Sequence, residues 1–148
     1  MAYSSALSTY KETRIKTASQ GQLIIMLYNE AVRQLDQAMD LIRLNDSGKK
    51  DPSKIEGISK AIVKTQEIVS ELMVSLDFEQ GGDIAKNLFS LYTWFNRELM
   101  GANIDQDARR LSTVREHIDT LRTAWQEVVV TNAAETANRE VVGLNIAG

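Results

Sequence analysis

One histidine, His117, no cysteine and a scatter of carboxylates are the residues of this 148-residue chain that could carry chemistry. Biological zinc sites draw on several imidazoles or thiolates, so His-rich and thiolate metal sites are excluded. A cysteine nucleophile and a disulfide framework are excluded with them. Bundles that hold di-iron centres do so through Glu-x-x-His on two helices. Here the residue three before His117 is Val114, and Glu116 is adjacent, which puts it on a different helix face. A second candidate role for His117 is phosphotransfer, the chemistry of an exposed helical histidine in some four-helix bundles. Relative to Ile118 it lies about 100° around a helix, at the flank of a core face, where its ring can reach water. Its neighbours Ile118-Asp119-Thr120-Leu121 lack the Lys and Gly that usually follow such a histidine. Glu30, Asp36 and Asp40 read as a solvated face. Gly81-Gly82 is a turn signal, not a phosphate loop. These residues do not assemble into an enzyme; phosphotransfer at His117 is the alternative reading.

Charge narrows the partners. Seventeen Lys and Arg stand against twenty Asp and Glu, a net charge of −3. The basic pairs Lys49-Lys50 and Arg109-Arg110 are isolated, so no nucleic-acid footprint is expected. The longest apolar run, 23–28, falls far short of the roughly 20 residues that span a bilayer. The first residues lack the basic start and apolar core of a signal peptide. The expectation is a soluble cytoplasmic protein with no cofactor and no membrane insertion.

The elements that would position any working surface are helices. Pro52 is the one proline, and eight glycines leave long stretches without a breaker, the pattern of an all-helical chain. A first helix is expected over 20–44, with Ile24, Leu27, Tyr28, Ala31, Leu35, Ala38 and Ile42 on one face; Ser19 and Gln22 form a capping box. A second is expected over 52–76, started by Asp51 and Pro52. Ile58, Ile62, Thr65, Val69, Leu72 and Leu76 alternate by four and three, a heptad seam. A third is expected over 83–102, with Ile84, Leu88, Leu91, Tyr92, Phe95 and Leu99 inward. A fourth is expected over 105–131, capped by Asp105, with Leu111, Val114, Ile118, Leu121, Trp125 and Val128 inward. Short links force antiparallel neighbours, so the architecture predicted is an all-α, up-down-up-down four-helix bundle over 19–131. Residues 1–18 form a basic, mobile arm with Tyr3, Leu7 and Tyr10 at helical spacing. Residues 132–148 form a small, polar tail, also expected to be mobile.

Several apolar residues do not fit the inward faces. Ile25 and Met26 point well away from the first stripe, and Val63 and Val74 lie roughly opposite the heptad seam. Phe89 and Met100 sit about 100–120° to one side of the third helix's core centre, with Trp94 as far to the other. Together they predict an outer groove for an amphipathic partner helix. Leu7, Tyr10 and Ile15 of the arm are predicted to belong to the same binding machinery.

The residues at this point resemble a known family. Tyr10, then Thr17-Ala18-Ser19-Gln20-Gly21-Gln22-Leu23-Ile24-Ile25-Met26-Leu27-Tyr28, is similar to the opening of the flagellar secretion chaperones (FliS). The likeness continues through Glu71-Leu72, Ser75-Leu76-Asp77, Gly81-Gly82-Asp83-Ile84-Ala85-Lys86-Asn87-Leu88 and Leu91-Tyr92. It ends with Leu99, Ala102-Asn103, Leu121-Arg122 and Trp125. Gln20 stands where the family usually has Pro, Gln22 where it has an acid, and Asn29-Glu30 where it has Asp-Gly. The tail resembles nothing in the family. The resemblance implies an antiparallel bundle that binds the disordered C-terminal segment of flagellin, which becomes helical against it. It implies that the arm competes for part of the groove. It also implies that the tyrosine at position 10 serves docking on the cytoplasmic domain of the export gate.

Overall fold

A computed structural model describes the backbone of residues 20–147 and the side chains of residues 20–131 and 134. The expected arm, with Leu7, Tyr10 and Ile15, and the Ser19 cap lie outside the described residues. Four helices follow in order: α1 (Gln20–Ser47), α2 (Pro52–Val74), α3 (Phe78–Asp105) and α4 (Ala108–Ala147). Each packs on its chain neighbours, and α4 closes the ring against α1. Direction is fixed by cross-helix bonds: Arg115 holds Asp36 at 2.5 Å and Arg122 donates to Asn29 at 3.1 Å. Seven residues up α1 are seven residues down α4, so the two run antiparallel.

The periodic apolar residues form the core. Tyr28, Leu35, Ile58, Ile62, Val69, Leu72, Phe95, Leu99, Leu111, Val114 and Ile118 are all fully buried. Each such aliphatic side chain contributes about 1.5–3 kcal/mol of burial before chain entropy is charged. Thr65, inside the heptad seam, satisfies its hydroxyl by donating to the Ala61 carbonyl at 2.9 Å. Leu76 lies past the end of α2 and is only partly covered.

The start of α2 is as the sequence predicts. The Asp51 carboxylate accepts from Ser53 N and Ser53 Oγ, both at 2.9 Å, with Pro52 in the first turn. The buried Asn45 takes the Asp51 N–H at 3.0 Å and ties the end of α1 to this cap.

Some helix boundaries and faces differ from expectation. α3 begins at Phe78, not near 83, because Asp77 caps it by accepting from Glu79 N and Gln80 N at 3.0 and 3.1 Å. The glycine pair does interrupt the helical backbone, as the sequence suggests: Gly82 has φ +51° and ψ −125°, a conformation side chains resist, so the turn capped by Asp77 joins the longer helix across a kink. Asp105 is the last residue of α3 and not a cap of α4. Asp107 takes that place, accepting from Arg109 N at 2.9 Å, after Gln106 turns left-handed at φ 51°. Ile84 and Val128, expected inward, are exposed, Ile84 at 71%. Ile84 lies beside the kink of α3, and among the described residues no side chain covers either of them. α4 also runs past 131, continuing as helix through 132–147. By the register above, Gln20 of α1 stands level with Thr131, so these last turns project beyond α1.

Candidate protein-docking groove

The outer seam between α2 and α3 is built on a polar ladder. Asn103 Nδ2 donates to Ser59 Oγ at 3.2 Å, and Gln66 Nε2 donates to the Asn96 carbonyl at 3.4 Å. These contacts are seven residues apart on both helices, which sets an antiparallel register. At 100° per residue, Val63 and Val74 of α2 and Phe89 and Met100 of α3 lie within about 80° of the ladder, on its solvent side. Val63 stands level with Met100, and Val74 with Phe89. They are 38%, 56%, 76% and 44% exposed respectively. The two apolar rungs are eleven residues, or about 16 Å, apart along the seam.

Sequence reasoning missed three further members. Exposed Ile55 and Ile104 extend the groove at one end. Phe78 extends it at the other, edge-on to Phe89 with ring centroids 6.0 Å apart. All three are apolar residues near helix ends, outside the stretch of clear periodicity, and that position was the available signal.

The other three predicted members of the bundle surface lie elsewhere. Ile25 is half-buried on the α4 side of α1, one turn before Asn29. Met26 is half-buried on the outward side of α1, which is diagonal to α3. Trp94 turns towards α4 and packs on Phe95 (5.8 Å) and His117 (5.2 Å). The reason is the square section of the bundle: off-stripe residues on different helices face different sides. His117 is exposed, with Nδ1 at 2.8 Å from the Thr113 carbonyl.

A second concavity of about 440 Å³ opens at the bundle end where α1 starts, walled by Ile24, Leu76, Ile84, Leu88 and Trp125. Beneath it the hydroxyls of Tyr28 and Tyr92 share a buried hydrogen bond. Burial pushes the Tyr28 phenol well above its ordinary range, reinforced by Tyr92 and opposed by a hydrogen bond from Trp125. Burial also raises Tyr92, with the bond to Tyr28 opposing. Among the described residues no three His, Cys, Asp or Glu side chains are placed to hold a metal ion. No described helix is long and apolar enough to cross a membrane.

The pattern of one protein family, described as "Flagellar protein FliS", matches residues 3–132. The chain belongs to the FliS family. It is 34% identical over 117 residues to the flagellar secretion chaperone FliS of Salmonella typhimurium, covering 79% of this chain and 82% of the relative. The FliS of Escherichia coli is 32% identical over 116 residues, 78% and 80% of the two chains. That of Bacillus subtilis is 26% identical over 129 residues, 87% and 90%. A crystal structure of a bacterial flagellar chaperone superposes with a TM-score of 0.67 at 16% identity, over 86% of this chain and 97% of that one. Its fold is this bundle. The match stops at 132, short of the end of α4.

Proposed function

We propose that this chain is an export chaperone that holds the C-terminal segment of flagellin in the cytoplasm. It prevents premature polymerisation and delivers its cargo to the cytoplasmic domain of the flagellar export gate. The observation that carries the reading is the α2–α3 groove, where Val63, Met100, Val74 and Phe89 stay exposed on a family fold whose core is otherwise closed. An apolar trough of helix length suits a helix-in-groove partner. Covering the guest's apolar face blocks self-association without any chemistry. The entropy of ordering a disordered guest keeps affinity moderate and release open. In this reading the arm, through Leu7, Tyr10 and Ile15, competes for the groove and lowers the apparent affinity by the open fraction. Tyr10 serves docking on the gate. The test is capture of a flagellin C-terminal segment by the full chain and by a chain lacking residues 1–18. Binding by both, tighter without the arm, is the expected result. No capture by either overturns the reading.

A further inference from the structure

The chain has five methionines. Met1 lies outside the described residues, and the other four differ in setting. Met39 and Met73 are partly buried against the core. The Met73 sulfur also accepts a weak bond from Asn96 Nδ2 at 4.0 Å. Met26 is half-buried on α1. Met100 alone of the four is open to solvent, at 56%. Its place is the apolar wall of the groove, level with Val63, and exposed Ile104 follows it by one turn of α3. Val63, Val74 and Phe89 are hydrocarbon there. Met100 is the one wall position that brings an oxidisable atom to the guest's side.

A thioether is a soft, polarizable two-electron reductant. Its sulfur lone pair attacks one oxygen of hydrogen peroxide, the O–O bond breaks and an S–O bond forms. The transferred hydroxyl gives its proton to the departing hydroxide, which leaves as water. Sulfur is oxidised to the sulfoxide and peroxide is reduced. The side chain changes from apolar to polar, and sulfoxide reductases reverse the step. In the empty groove the new oxygen is solvated, so the bundle loses little. Beneath an apolar guest the same oxygen is stripped of water and finds no donor, which weakens binding.

We infer that Met100 is a peroxide-sensitive modification site whose sulfoxide closes the groove to its guest while the bundle stays folded. This inference rests on the groove being the guest site proposed above.

The test treats the full chain with graded doses of hydrogen peroxide. Each sample is read by peptide mass mapping, by thermal melting and by titration with the flagellin C-terminal segment. Met100 is expected to gain one oxygen ahead of Met26, Met39 and Met73. Guest affinity is expected to fall about 10-fold in step with that gain, with the melting temperature within about 2 °C of the untreated chain. Treatment with methionine sulfoxide reductase is expected to restore it. Met100→Leu keeps the other four methionines; its affinity, whatever it is before treatment, is expected to be independent of dose. Met100→Gln, polar without any oxidant, is expected to bind more weakly than the untreated wild type. Earlier oxidation of Met26, Met39 or Met73 overturns the inference. So does a Met100→Leu chain that loses affinity with dose as the wild type does. Guest binding that survives full oxidation of Met100 overturns the inference alone and leaves the chaperone reading standing. An untreated chain that does not bind the segment overturns both.

Discussion

The hydroxyls of Tyr28 on α1 and Tyr92 on α3 meet at 2.5 Å across the diagonal of the bundle. Helices that do not pack side by side are thus joined through the core. The bond lies where the apolar core gives way to the end cleft, and Trp125 on α4 also bonds Tyr28. Replacing Tyr28 with Phe leaves the buried Tyr92 hydroxyl without its partner. A loss of about 1–3 kcal/mol is expected from chemical denaturation.

The same pair sets an alkaline limit. Burial raises both phenols above the ordinary value near 10, so the folded state favours the protonated form. Stability from this source is fully present below about pH 10. It falls as pH climbs beyond that, because unfolded tyrosines ionise while the folded ones resist. A pH series of denaturation midpoints should be flat on this account from pH 8 to about 9.5 and then decline. The decline should be shallower in Tyr28→Phe.

Surface and core positions of neighbouring helices should separate cleanly. Phe89→Asp places a charge on the half-exposed groove wall; flagellin binding should drop at least about 10-fold while the helical melt moves by less than about 1 kcal/mol. Leu72→Asp places an unpaired charge in a fully closed site and should unfold the bundle, at a cost of several kcal/mol. Circular dichroism and peptide titration together check both. If both variants melt like wild type, the assignment of faces is wrong.

Gly82 isolates a backbone effect. A Cβ built there meets nothing within 4 Å, yet its φ of +51° is hostile to side chains. Gly82→Ala should therefore cost about 1–3 kcal/mol through conformation alone. A neutral result by denaturation would mean that the bend relaxes without loss.

The end of α4 should be dispensable for folding. Residues 132–147 run past the level of Gln20, where α1 begins. Truncation after Thr131 should leave the melting temperature within about 2 °C of the full chain. A larger drop in a thermal scan would show that these turns are held by something the bundle needs.

Much of this fold was legible because it follows from period and punctuation. Asp51-Pro52 marked a helix start that the Ser53 bonds realise. The four-three spacing of Ile58, Ile62, Thr65, Val69 and Leu72 is the inward face of α2. The errors came where local signals compete. Gly81-Gly82 read as a boundary, and Gly82 does break the helical backbone; the turn that Asp77 caps ahead of it is what the glycine signal hid. Asp105 and Asp107 are both plausible caps by type, and only the left-handed Gln106 between them decides. Ile84 and Val128 continue a helical stripe, yet among the described residues nothing covers them. For the groove, period alone separated Val63, Val74, Phe89 and Met100 from the core. It could not say which helices stand side by side, so Ile25, Met26 and Trp94 were grouped with them.

The groove walls and the core stripe draw on different residues of the same two helices. Val63 and Met100 can change without touching Ile62 or Leu99, which lie next to them in the chain but on another side of the helix. Cargo preference in such a protein is free to drift as its client drifts, one surface position at a time, with no toll on folding. A lineage can retune what it carries while inheriting an unaltered scaffold.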